Sequence, residues 1–149
     1  MDSRIGMADD VVLNKTGVIE RCLQRIEDEY DGNPSNLREN LTRQDAIVLN
    51  LQRACQASID LAMHLVREHG WGMPQESRDA FALLEEQGAL DADLSDRLQR
   101  MVGFRNIAIH DYQQLNLDIV QSIVEHRLSD FTAFTERVLK TDGFRTSES

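Results

Sequence analysis

The residues best suited to chemistry lie in one short run, Phe104-Arg105-Asn106-Ile107-Ala108-Ile109-His110-Asp111-Tyr112. Read as one helix at about 100° per residue, Arg105 and Tyr112 are seven apart and nearly eclipsed. Asn106 and His110 are four apart on the neighbouring stripe. A guanidinium, an amide, an imidazole and a phenol are therefore expected together at one helix end. These groups suit phosphodiester cleavage. An arginine can stabilise charge on a phosphorane-like transition state. A histidine titrates near neutrality and can carry the proton of a ribose 2′-hydroxyl or of the leaving oxygen. Asn106 can orient His110 or the phosphate. No metal or cofactor is needed when the 2′-hydroxyl is the nucleophile. One chain supplies one such histidine, so separate acid and base groups call for a symmetric dimer with both motifs near its twofold axis. Arg97 and Arg100, earlier on the same helix, are candidate RNA-binding residues, though solvated surface charges are the plainer reading. Gly103 allows close approach of a partner or a bend.

Other chemistry is sparse. The remaining histidines are His64, His69 and His126, and the chain has no CxxC, no HExxH and no Gly-rich phosphate loop. Asp60 and His64 stand at i, i+4 and could pair or share a metal. Two ligands do not make a site, so a helix-surface hydrogen bond is the plainer expectation. His69 and His126 read as surface residues. Cys22 and Cys55 fall inside helical patterns and read as reduced core thiols.

Five amphipathic helices are expected to position the run. The first covers about 10–29, with Ile19, Leu23, Ile26 and Tyr30 on one stripe. Asp31-Gly32-Asn33-Pro34-Ser35 ends it with strong turn chemistry. The second starts near Thr42 as N-cap and runs to about His69. It is apolar on two sides, which suits a central or interfacial helix. Gly70 is placed to cap its C-terminus. A short third helix covers about 75–87 and a fourth about 91–110. The last follows Asn116 as N-cap and reaches Lys140, on a stripe from Leu117 through Val124 and Leu128 to Val138. Short links between such helices imply an all-α antiparallel bundle. The domain is expected to span residues 9–140, with flexible ends at 1–8 and 141–149.

Composition narrows the function classes. The 149 residues make one domain's worth of chain, and two Pro and eight Gly with few aromatics disfavour an all-β sandwich. The net charge of −10 argues against non-specific coating of nucleic acid, though not against a small basic site. No apolar run approaches a membrane span of about 18 residues and no basic leader opens the chain, so a cytoplasmic protein is expected.

The motif is specific. For this composition chance supplies roughly 0.4 Arg-x4-His pairs, and roughly 0.005 once a Tyr must follow two residues later. Arg105-x4-His110-x-Tyr112 resembles the signature of the HEPN superfamily, and most closely its HepT-like toxins, which are encoded beside minimal nucleotidyltransferase antitoxins. The resemblance extends to Leu49-Asn50-Leu51-Gln52-Arg53, to Ser77-Arg78-Asp79 and to Leu115-Asn116-Leu117-Asp118-Ile119, and covers roughly residues 9–140. It implies a helical homodimer that places two Arg–His motifs in a shared cleft and cleaves RNA without metal. It also implies that Arg105 and His110 are the catalytic pair and that Asn106 is their polar neighbour. Tyr112 matches the tyrosine on which the antitoxin places AMP, silencing the toxin.

Two other readings stand beside it. One is a non-catalytic helical binding partner and substrate of a nucleotidyltransferase, which suits the acidic surface. The other is a helical oligomer in which Arg105 pairs with an acidic side chain across an interface.

Overall fold

The structure, a computed structural model, describes residues 3–141, with side chains described from Asp10 onward. Residues 1, 2 and 142–149, part of the ends expected to be flexible, lie outside it. Among the described residues there are seven α-helices and no strand, so the architecture is the expected all-α bundle. The helices are α1 Ser3–Tyr30, α2 Pro34–Arg38, α3 Leu41–His69, α4 Ser77–Glu86, α5 Ala92–His110, α6 Leu117–His126 and α7 Leu128–Thr141. A one-turn 3-10 helix, Tyr112–Gln114, links α5 to α6.

The count exceeds five for two reasons. First, the turn run after α1 also starts a helix. Asp31 and Gly32 take positive φ and reverse the chain. The Asn33 side chain then caps Ser35 N, and Pro34, its φ already helical, opens α2. This turn-and-a-half persists because Leu37 is completely buried, which contributes about 2 kcal/mol. Second, the long C-terminal stripe breaks at Arg127, whose backbone leaves the helical region. Neither Pro nor Gly marks this break. It lets Val120 and Ile123 of α6 and Phe131, Phe134 and Val138 of α7 all reach the core from two directions. Boundaries also moved. α1 begins before the expected start near Asp10, and Asn40 rather than Thr42 caps α3, its side chain accepting the Arg43 N–H. Gly70 ends α3 in the left-handed conformation, as its position suggested.

α3 is the central element. Both of its apolar sides are buried within the chain, by α1 on one flank and by α4, α5 and α7 on the other. α1 runs antiparallel to it, tied by Arg43 Nη1 to the Glu29 carbonyl at one end and by Lys15 to Asp60 at the other. α5 also runs antiparallel to α3. Phe81 and Phe134 meet edge to face at 5.6 Å between α4 and α7. Cys22 and Cys55 are free and buried, as expected of core thiols, and burial pushes Cys55 up to about 12.

Candidate active site

The expected cluster is divided between two faces. α5 ends at His110, so Tyr112 lies in the 3-10 turn and not on the helix stripe with Arg105. Within α5, Arg105 and His110 are five residues apart, which is about 140° around the axis. Arg105 is half-buried and points at α3, where its Nη1 donates to Gln56 Oε1 at 2.6 Å. Its Nε is buried and has no partner among the described residues. Gln56 in turn donates to Asp60 Oδ1 at 3.0 Å, and Lys15 closes this chain of contacts at Asp60 Oδ2, 3.1 Å away. Within the described chain Arg105 therefore answers to a neutral amide.

Asn106 and His110 point outward on a shared stripe. Both are exposed, and neither has a side-chain hydrogen bond to another described residue. Ile107 and Ile109 beside them are also exposed, at 47% and 44%, whereas Ala108 is buried. An imidazole thus sits in solvent, framed by aliphatic side chains that are themselves about half exposed.

Tyr112 is held elsewhere. Its hydroxyl donates to Asp45 Oδ1 at 2.7 Å, near the start of α3. Partial burial raises its pKa first, and the Asp45 carboxylate raises it further by accepting the proton and by its charge. The phenol stays protonated well above neutrality.

Arg97 and Arg100 face a cleft between α5, α6 and α7. Arg97 Nε donates to the buried Asp130 Oδ1 at 2.9 Å, while Asp130 Oδ2 is buried without a partner. Arg100 pairs with Asp96 at 3.1 Å on the exposed surface. With Arg127, Met101, Phe104 and Ile119 they line a space of about 230 Å³. Arg97 is thus a structural anchor as well as a surface charge.

Of the remaining histidines only His64 departs from expectation. Asp60 is occupied by Gln56 and Lys15, and His64 does not pair with it. His64 is buried, with Nε2 unpartnered, because its stripe on α3 turns into the bundle. Among the described residues no group of three or more metal-binding side chains converges. His69 is exposed and stacks on Trp71 at 4.3 Å, and His126 is exposed beside Glu125.

Arg78 is the residue that motif reasoning left without a role. It belongs to α4, yet its guanidinium lies over Gly103 of α5. A Cβ added at Gly103 would meet Arg78 Nη2 at 2.7 Å. Gly103, Asn106 and His110 follow at i, i+3 and i+7, so Arg78 brings a cation to the outward face that carries the imidazole. The missing side chain at Gly103 makes that room. Two sequence signals bore on it: the resemblance that runs through Ser77-Arg78-Asp79, and a glycine inside a helix, which already asks for a packing reason.

Comparison with known proteins agrees with this architecture. The family described as Ribonuclease HepT-like matches residues 19–138. The chain is 48% identical over 134 residues to an mRNA nuclease HepT of Shewanella oneidensis, covering 90% of this chain and 99% of that protein. Its fold resembles that of a tri-AMPylated Shewanella oneidensis HEPN toxin in complex with an MNT antitoxin, with a TM-score of 0.83 and 49% identity over 88% of this chain and 97% of that one. It also resembles a toxin–antitoxin crystallised with AMP-PNP, with a TM-score of 0.82 and 47% identity over 87% and 98% of the two chains. The chain belongs to the Ribonuclease HepT-like family.

Proposed function

We propose that this protein is the RNA-cleaving toxin of a HEPN/minimal nucleotidyltransferase toxin–antitoxin pair, acting in the cytoplasm as a homodimer. The observation that carries the reading is the exposed stripe of His110 and Asn106, with half-buried Arg105 on the α3-facing side of the same helix, in a chain of this family. The ribose 2′-hydroxyl attacks the adjacent phosphorus, and the bond to the 5′-oxygen of the next nucleotide breaks. His110 of one protomer takes the 2′-hydroxyl proton, and the same residue of the partner gives a proton to the leaving oxygen. Arg105 neutralises the phosphorane charge, Asn106 orients, and Arg78 binds phosphate on the His110 face. Arg100 and, secondarily, Arg97 add positive potential along α5. Exposed Ile107 and Ile109 suit a contact between protomers, which would bring the two His110 stripes together.

Adenylyl transfer to Tyr112 by the antitoxin switches this off. The phenol passes its proton to Asp45, its hydrogen-bond acceptor, its oxygen attacks the α-phosphorus of ATP, and pyrophosphate leaves. The new phosphodiester anion cannot keep the hydrogen bond to Asp45 and is repelled by it. The modified side chain swings off α3 and covers the end of α5, two residues from His110.

Arg105 and His110 diverge by about 140° in one chain, which favours one rival: a non-catalytic partner and substrate of the nucleotidyltransferase. Incubation with total RNA in EDTA, after an intact-mass measurement, separates the two. Cleavage that survives chelation and is lost in His110→Ala and Arg105→Ala is the expected result. His110 is exposed, so its alanine variant should keep its stability within about 0.5 kcal/mol. Unmodified protein that accepts AMP on Tyr112 yet leaves RNA intact would establish the rival.

A further inference from the structure

A second gathering of cations lies away from His110. Arg21 and Arg25 stand one turn apart on α1, and Arg53 approaches them from α3. Together with Val18, Cys22 and Asn50 they line an open groove of about 380 Å³. No carboxylate lines this groove. Among the described residues none of the three guanidiniums has an acid within ion-pair distance, whereas Lys15, Arg38, Arg43, Arg97 and Arg100 all do. The chain carries 26 acidic and 16 basic residues, so unneutralised arginines side by side are not an accident of excess base. Their mutual repulsion is relieved by an anion.

Two further observations support a shared field with a ligand's place in it. Burial pushes the Cys22 thiol pKa up, and Arg53, Arg21 and Arg25 each pull it back, so all three charges converge on the groove floor. Asn50 is buried, with its Nδ2 spent on the Ala46 carbonyl at 2.8 Å. Its amide oxygen has no donor among the described residues.

The groove also leads to the catalytic motif. Arg53 and Gln56 stand at i, i+3 on α3, and Gln56 holds Arg105 at 2.6 Å. One turn of α3, about 5 Å, separates the groove from that anchor. Cations spread along two helices around an open channel fit an extended polyanion better than a single small anion.

We propose that the Arg21–Arg25–Arg53 groove is the track for the sugar–phosphate backbone of the RNA strand beside the bond that Arg105 and His110 cleave. The inference rests on the nuclease reading above. The arginine forks grip successive phosphates. Asn50 offers its oxygen to a ribose hydroxyl.

The test measures binding of a fluorescent single-stranded RNA of about 12 nucleotides. The parent is the full chain carrying His110→Ala, so that nothing is cut, and the variant adds Arg21→Ala, Arg25→Ala and Arg53→Ala. The three arginines make no ion pair among the described residues, and a thermal melt checks that the variant folds. Loss of affinity by about tenfold or more, with the slope of log affinity against log salt shallower by about 2, is expected from three lost phosphate contacts. Replacing the three arginines with lysine should recover most of that slope. Equal affinity and slope in parent and variant overturns the groove alone. A parent that does not bind, with wild-type protein that does not cleave, overturns the groove and the nuclease reading together. Displacement of the RNA by millimolar inorganic phosphate at constant ionic strength overturns the strand in favour of a small anion. Unchanged RNA binding with weakened binding of the nucleotidyltransferase assigns the groove to a protein partner instead, and overturns the proposal.

Discussion

Gly103→Ala is expected to make the protein more stable and less active. Gly103 lies in the interior of α5, where glycine costs about 0.8–1.0 kcal/mol relative to alanine. The added Cβ would meet only Arg78, at 2.7 Å from Nη2 and 3.9 Å from Cζ. That atom is the far end of an exposed, flexible side chain, which can move to another staggered rotamer. The net gain is therefore about 0.5–1 kcal/mol, or about 1–4 °C in Tm for a chain of this length. Activity should move the other way. Arg78 pushed off the His110 face loses a charge-assisted hydrogen bond to phosphate worth about 1.5–3 kcal/mol, which is about tenfold or more in kcat/KM. Circular-dichroism melts and initial rates of RNA cleavage report the two effects separately. A cycle with Arg78→Ala completes the argument. If Gly103→Ala acts only through Arg78, the double variant should be no slower than Arg78→Ala alone. A lower Tm would show that Arg78 does not yield. Full activity in both single variants would remove Arg78 from the site.

Other outcomes follow from the same contacts. The chain has two tyrosines, and burial with a carboxylate acceptor raises both, Tyr30 to about 12 and Tyr112 upward as well. Tyrosinate absorbance should therefore develop well above pH 10, and Asp45→Asn should bring one of the two transitions down; two unchanged transitions would show that Tyr112 does not donate to Asp45. Because the folded pKa of Tyr30 is raised, its contribution to stability is complete below about pH 10 and lost as pH approaches about 12, so chemical denaturation midpoints should fall across that window. Arg97→Ala leaves Asp130 buried and uncompensated and should cost about 3 kcal/mol, with part recovered on adding Asp130→Asn; an unchanged midpoint would deny the pair its anchoring role.

Much of this molecule was legible from residue types and spacing. Ile19, Leu23, Ile26 and Tyr30 announce α1 because helical periodicity is local and repeats within one element. Both apolar sides of α3 are readable for the same reason, and they predict a central or interfacial helix, of which the fold shows the central one. The Arg105-x4-His110-x-Tyr112 run was visible as a motif, because three uncommon residue types at fixed spacing are a one-dimensional signal. α2 was missed because five residues inside turn chemistry carry no period, and the break at Arg127 because the apolar stripe runs through it undisturbed.

Only the tertiary structure decided what each of those side chains meets. A helical wheel fixes the angle between Arg105 and His110 but not which angle faces a neighbour. Gln56, 49 residues from Arg105, turns the guanidinium inward. Asp45, 67 residues from Tyr112, holds the phenol away from α5, which the eclipsed-stripe expectation could not foresee because the helix stops at His110. The same holds for the space that Gly103 leaves to Arg78 and for the three arginines that α1 and α3 bring to one groove. Local sequence sets helix formation and the direction of each face, since those depend on neighbours a few residues away. Contacts between faces depend on how whole helices pack, and that is a property of the folded chain.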